Sequence, residues 1–124
     1  WFSGQEQPTL MALHKLAICW EKTGRREEAL RALTRAEAMD IDEIDRALAL
    51  RLLRLVRYRL EHPDYLTRNE YGTLLLDSFD RLRNELPLGY ALFHLPWVLE
   101  WYKANRQYKK GCELLEAYFP EKSL

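Results

Sequence analysis

The sequence predicts an all-α protein, and three observations support this class. Apolar residues recur at three- and four-residue steps along most of the chain, which is the period of a helix with one buried face. Glycine and proline number only 5 each among 124 residues, so few positions interrupt long helices. Nowhere do apolar and polar residues alternate cleanly over four or more positions, as a half-buried strand would require.

The first two helices are predicted on either side of Gly24, after a loose N-terminal segment at residues 1–8. The first helix, over about 9–23, has an apolar stripe formed by Leu10, Leu13, Leu16, Ala17 and Trp20. Glycine is favoured just past the end of a helix, so Gly24 ends it. The second helix is expected over about 26–39, and its stripe is formed by Ala29, Leu30, Leu33, Ala36 and Ala38.

The third and fourth helices are predicted on either side of Pro63. The acidic run at residues 40–45 suits the N-terminus of the third helix, because negative charge there is stabilised by the helix dipole. This helix is expected to continue to about Leu60. Thr67 and Glu70 have the spacing of a capping box, which predicts a fourth helix over about 68–85.

The fifth and sixth helices follow a break at residues 86–89. The fifth is expected over about 90–104, kinked or begun afresh at Pro96. Asn105 and Arg106 make a short turn into the sixth helix, expected over about 107–119. Residues 120–124 then form a C-terminal tail.

Two of the predicted helix pairs share one sequence frame. Leu13-x2-Leu16-Ala17-x2-Trp20 followed by Ala29-x3-Leu33 returns as Leu95-x2-Val98-Leu99-x2-Tyr102 followed by Gly111-x3-Leu115. In both copies the large aromatic residue and the small residue are nine positions apart. The aromatic ring fills the gap between the two helices, and the small residue lets the helices approach closely.

These frames resemble the tetratricopeptide repeat, with the clearer match over about 10–41 and a looser one over 92–119. Ile41 and Arg106 depart from the proline and the turn glycine of that family, and the middle pair of helices has no clean signature. The resemblance implies a right-handed superhelical stack of three antiparallel hairpins in a single domain, residues 9–119. The hairpins would span about 9–40, 41–85 and 89–119.

A tetratricopeptide-like solenoid implies a scaffold that binds another protein or a peptide in a concave groove, lined by the first helix of each hairpin. The positions expected to line it are His14, Ile18, Arg51, Arg54, Tyr58, Glu100 and Lys103. On the third helix, Arg46, Arg51, Arg54, Arg57 and Tyr58 share one side. Their guanidinium groups suit the carboxylates of an acidic peptide. A solvated face bridged to Asp42 and Asp45 is the alternative interpretation.

Residues 84–90, 93–97 and 100–108 resemble the C-terminal helical-repeat region of bacterial helix-turn-helix transcription regulators. That resemblance implies a sensor or dimerisation domain, and because the chain begins at Trp1 we would then expect a fragment of a longer regulator. Trp97 and Trp101 are predicted to form the interface of a homodimer, since aromatic residues are enriched at interfaces. An RNA-binding helical repeat is a further alternative.

Composition argues against several other classes. Lys+Arg and Asp+Glu are equal at 19 each, whereas a domain that grips DNA directly usually has a basic excess. No apolar run is long enough to cross a membrane. Cys19 and Cys112 are expected to be buried, reduced thiols of a cytoplasmic protein. His14, His62 and His94 lack metal-ligand spacing and are expected at the surface or at helix ends. Neither an enzyme nor a cofactor is predicted.

Overall fold

The computed structural model describes residues 9–39 and 46–119, and its regular elements there are all helical. The six α-helices are α1 (Leu10–Lys22), α2 (Arg26–Glu37), α3 (Arg46–Glu61), α4 (Asn69–Glu85), α5 (Leu88–Ala104) and α6 (Tyr108–Tyr118), with a short 3-10 turn at Tyr65–Thr67. The prediction of an all-α chain with about six helices is thereby confirmed. The chain divides into two compact units, Trp1–Tyr65 and Leu66–Leu124, which we call the first and second units.

In the first unit, α1 and α2 form a hairpin and α3 packs against both of them. The side chain of Thr9 caps α1 by accepting a hydrogen bond from the Ala12 N–H at 3.0 Å. Each helix turns a stripe of small or branched apolar residues inward. The buried apolar residues are Leu10, Leu13, Ala17, Ile18, Ala29, Ala32, Leu33, Ala36, Leu48, Ala49, Leu52, Leu53, Leu55 and Val56.

The turn between α1 and α2 is a Schellman motif centred on Gly24. The Arg25 N–H donates to the Trp20 carbonyl at 2.8 Å, and the Gly24 N–H donates to the Glu21 carbonyl at 3.2 Å. Gly24 has a φ of 79°, a left-handed conformation that glycine adopts without steric cost. The sequence prediction that Gly24 ends the first helix is therefore confirmed.

In the second unit, α5 packs against α4 and against α6. The indole of Trp101 lies directly over Gly72, because a Cβ atom added at Gly72 would come within 2.1 Å of the indole. Tyr71 meets the same indole edge-on, with ring centroids 5.9 Å apart. The buried apolar residues of this unit are Tyr71, Leu75, Phe79, Leu82, Ala91, Leu95, Val98 and Trp101.

The turn between α5 and α6 repeats the hydrogen bonds of the first turn. The Gln107 N–H donates to the Tyr102 carbonyl at 2.7 Å, and the Arg106 N–H donates to the Lys103 carbonyl at 3.1 Å. Arg106 occupies the left-handed position with a φ of 57°. The departure from glycine at Arg106 thus leaves the turn geometry intact, although it places a side chain where left-handed backbone is sterically unfavourable.

Two predictions about helix ends are wrong. The capping box would put the N-cap at Thr67, but α4 begins at Asn69 with Arg68 as its N-cap and no side-chain capping bond. Of the two alternatives expected at Pro96, a kink or a fresh start, the fresh start is wrong, since α5 runs continuously from Leu88 to Ala104. Pro96 is exposed, so its ring lies on the solvent side of α5 and not on the side that packs within the unit. The expected start of the third helix at residues 40–45, and both terminal segments, lie outside the described residues.

Candidate partner-binding surfaces

The arginines of α3 divide into two groups. Arg51, Arg54 and Tyr58 lie at i, i+3 and i+7 of the helix, which puts them on one side, and we call these three residues the arginine face. Arg54 is exposed, whereas Arg51 and Tyr58 are half-buried. Neither Arg51 nor Arg54 forms an ion pair with any residue in the described ranges.

The ring of Tyr58 stacks at an angle on His62, with centroids 4.3 Å apart. This contact fixes the aromatic end of the arginine face at the C-terminal turn of α3. An aromatic surface beside two guanidinium groups suits a peptide that has both acidic and apolar or aromatic side chains.

The next arginine along α3 is engaged within the first unit. The guanidinium of Arg57 donates to both carboxylate oxygens of Glu37 at 2.7 and 3.2 Å, and also to the Thr34 hydroxyl at 3.2 Å. The hydrogen bond with Glu37 raises the pKa of Arg57 above its ordinary value. Arg57 therefore connects α3 to α2, and the prediction that it shares one open polar face with Arg51 and Arg54 needs this correction.

Arg59 makes a second and more deeply buried connection. Its guanidinium donates to the two carboxylate oxygens of Glu21 at 2.7 and 3.0 Å, and only 3% of its side chain is accessible to solvent. This ion pair was not predicted, because a charged residue one turn from Leu55 and Val56 gives no sign of its partner in the sequence. Two bidentate pairs thus hold α3 against the hairpin of the first unit.

His14 and Ile18 are buried in the core of the first unit, with exposed fractions of 1% and 4%. Both lie on the same stripe of α1 as Leu10 and Ala17, which turns them away from solvent. The expectation that His14 and Ile18 line an open groove is not compatible with this placement. The prediction that His14 and His94 lie at the surface or at helix ends is wrong as well, since His94 is also buried and its Nδ1 lies 3.0 Å from the Tyr90 carbonyl oxygen.

A second surface of the first unit is an open groove of about 320 Å³ between α1 and α2. Its walls are formed by Leu13, Leu16, Trp20, Glu28, Arg31, Ala32 and Arg35. Arg31 and Arg35 are exposed at its rim, one helical turn apart, and the half-buried Trp20 lies among the apolar residues. Trp20 was predicted to pack between the two helices of the hairpin, and its place in this groove was not predicted.

In the second unit, Glu100 and Lys103 are exposed on α5. Whether they share a groove with the arginine face remains a prediction, because these residues belong to different units. Trp97 is half-buried and contacts the rings of Phe93 and His94, with centroids 5.7 and 5.6 Å away.

The prediction that Trp101 forms a dimer interface is wrong for this residue. Trp101 is 6% exposed, and its indole fills the space over Gly72 within its own unit. With so little of its surface accessible, the indole cannot contribute a large contact to a second protein.

The last helix, α6, has little of its surface covered. Gly111 is the one residue of α6 that is buried, where it approaches Leu99 and Tyr102 of α5. Two aromatic residues at the ends of this helix, Tyr108 and Phe119, are 60% and 50% exposed. Cys19 and Cys112 are also exposed, so the prediction of buried thiols is wrong.

The described part of the chain offers little for other kinds of site. No three His, Cys, Asp or Glu side chains in residues 9–39 and 46–119 come together as a metal site would need. Among the described helices, none combines the length and the apolarity required to cross a bilayer. Comparison with family models, with curated proteins and with solved structures finds no significant match for this chain.

Proposed function

We propose that this chain is a tetratricopeptide-like interaction module that binds an acidic segment of another protein, and that it acts by binding and not by catalysis. The observation that carries the proposal is the arginine face. Arg57 and Arg59, the next arginines on α3, are held by Glu37 and Glu21, whereas Arg51 and Arg54 have no such partner among the described residues. Two guanidinium groups one turn apart match a pair of carboxylates in bidentate geometry.

The tetratricopeptide part of the proposal is supported by the two matching turns. The backbone hydrogen bonds from Arg25 to Trp20 and from Gln107 to Tyr102 close the two hairpins in the same way. In this proposal the hairpins stack in a right-handed solenoid, and the first helices contribute to one concave surface. Two exposed free cysteines fit a reducing compartment, so the proposal includes a cytoplasmic location.

Selection from a library of random peptides, followed by calorimetry on the enriched peptides, tests the acidic specificity. We expect Asp and Glu to be enriched, and R51E/R54E to weaken binding by at least about tenfold, since each charge-assisted hydrogen bond contributes about 1.5–3 kcal/mol. Far-UV circular dichroism should be unchanged, because both side chains point at least partly into solvent.

The matched control is R31E/R35E, which changes net charge by the same amount on the rim of the α1/α2 groove. Full binding by this control and weak binding by R51E/R54E would support the arginine face as the site. Equal weakening would show that binding follows net charge alone, and weakening in R31E/R35E alone would move the site to the groove. Either result would overturn the assignment to α3.

The alternatives are tested with the same variants. Binding of a homopolymeric RNA that falls steeply with salt and is lost in R51E/R54E would favour an RNA-binding repeat. A helix-turn-helix domain encoded upstream of Trp1 would favour a sensor domain of a transcription regulator. An acidic peptide bound independently of any such domain would favour the interaction module.

A further inference from the structure

The exposed side of α6 has the spacing of a helix–helix seam. Tyr108, Cys112, Leu115 and Phe119 follow one another at steps of four, three and four residues, and we call them the α6 stripe. Each of them is exposed, with 60% of Tyr108, 40% of Leu115 and 50% of Phe119 accessible. This spacing corresponds to successive d and a positions of a heptad. Tyr108, Cys112 and Leu115 therefore line one edge of α6, and Phe119 follows directly after the last residue of the helix as its C-cap.

The charges of α6 run against its own dipole. Lys109 and Lys110 lie in the first turn, whereas Glu113 and Glu116 lie in the C-terminal half, and all four are exposed. Basic residues at a helix N-terminus and acidic residues near the C-terminus are unfavourable in an isolated helix. In α2, by contrast, Glu27 and Glu28 lie in the first turn and Arg35 lies in the last turn.

The same charges are complementary to a copy of this helix that runs in the opposite direction. In the heptad set by the α6 stripe, Lys109 and Glu116 both occupy e positions. In an antiparallel pair, e positions face e positions, so Lys109 of each copy would lie beside Glu116 of the other. Tyr108 would meet Phe119 and Cys112 would meet Leu115, which joins large to large and small to medium side chains.

We infer that α6 is the homodimer interface of this protein and pairs antiparallel with α6 of a second copy. The helix has two positive and two negative exposed charges, so a uniformly acidic or basic partner would be repelled by half of it. Its 11 residues give a small contact, which places the dimer among weak, concentration-dependent interfaces. This inference does not rest on the proposed function, because the arginine face lies on α3.

Charge exchange tests the antiparallel pairing by sedimentation velocity over a range of concentrations. K109E and E116K should each weaken the homodimer by about tenfold, because two ion pairs become two like-charge contacts. The double variant K109E/E116K should restore wild-type association. A mixture of K109E with E116K should form a heterodimer more readily than either variant forms a homodimer.

Disulfide trapping tests the register. One chain has C19S and retains Cys112, and the other has C19S, C112S and L115C. Under mild oxidation the two should form a mixed disulfide, because positions 112 and 115 face each other in the proposed pair. The control replaces L115C by A117C, which is exposed but lies on the far side of the helix from the α6 stripe.

A mixed disulfide that forms much faster with L115C than with A117C would support the pairing. Equal rates for the two, or a Cys112–Cys112 disulfide that forms faster than the mixed one, would overturn it. So would a chain that remains monomeric at all concentrations with no effect of the charge variants.

Discussion

The α1–α2 and α5–α6 hairpins close with the same turn but differ in what covers their second helix. In both, the C-cap side chain donates to the carbonyl four residues earlier, from Thr23 to Cys19 and from Asn105 to Trp101. The second helix begins at the residue that follows the turn, Arg26 in the first hairpin and Tyr108 in the second. α2 buries four residues in the first unit, whereas α6 buries only Gly111.

Each unit has one helix besides its hairpin, α3 in the first unit and α4 in the second, and these two helices are held by different kinds of contact. In the first unit, α3 is held by bidentate guanidinium–carboxylate pairs, of which Arg59–Glu21 is the more buried. In the second unit, α4 is held by the indole of Trp101 against Gly72 and by a contact between Phe79 and Tyr118, with centroids 6.1 Å apart. The comparison shows that the turn is a local property of the sequence, whereas burial and attachment depend on which residues face the hairpin.

The largest effect is expected at Gly72, where the second unit depends on close packing. G72A would put a methyl group within 2.1 Å of the rigid indole of Trp101, so the helices must separate. We expect a loss of about 3 kcal/mol in the free energy of unfolding, measured with urea. G89A is the matched control, since a Cβ there meets no atom within 4 Å, and it should have no cost. A neutral G72A would refute the packing of Trp101 on Gly72.

The next largest effect is expected at the charged attachment of the first unit. E21Q leaves the Arg59 guanidinium buried without its countercharge from Glu21. This should lower the free energy of unfolding by about 2 kcal/mol, less than for a fully buried pair, because the Glu21 side chain is 17% exposed. E37Q removes the equivalent countercharge from Arg57, whose side chain is 27% exposed, and should cost at most about 1 kcal/mol. Chemical denaturation monitored by circular dichroism compares the two variants. Equal costs would contradict the difference in burial.

The smallest effects are expected at the left-handed residue of each turn. R106G should stabilise the protein by about 0.5–1 kcal/mol, because glycine adopts a positive φ without steric cost. G24A should destabilise it by about 1 kcal/mol for the same reason. Thermal unfolding of the two variants shows whether the stability rises in R106G and falls in G24A. Destabilisation by R106G would mean that the second turn does not have the geometry of the first.

The sequence predicted the helices and both hairpin turns because these depend on nearby residues. The apolar stripes marked the helices. Each hairpin was indicated by an aromatic residue and a small residue nine positions apart, Trp20 with Ala29 and Tyr102 with Gly111. The N-cap of α4 was misplaced by one residue, since the capping-box spacing at Thr67 competes with the 3-10 turn that holds it.

The candidate site was predicted only in part, because exposure is set by contacts distant in sequence. Arg54 is exposed and Arg51 is half-buried, and their role in binding stays a prediction. The burial of His14 and the pairing of Arg59 with Glu21, 38 residues away, left no local pattern. Likewise, the spacing of apolar residues could not show that Trp101 is buried against Gly72 whereas the apolar residues of α6 are exposed.

Amide hydrogen exchange at Arg25 and Gln107 tests most directly whether the two hairpins close in the same way. Both amides donate to the carbonyl five residues earlier, at 2.8 and 2.7 Å, although each lies just outside a helix. We expect both amides to exchange far more slowly than the same amides in an unfolded chain. Slow exchange at Arg25 with unprotected exchange at Gln107 would show that the second turn is not a repeat of the first.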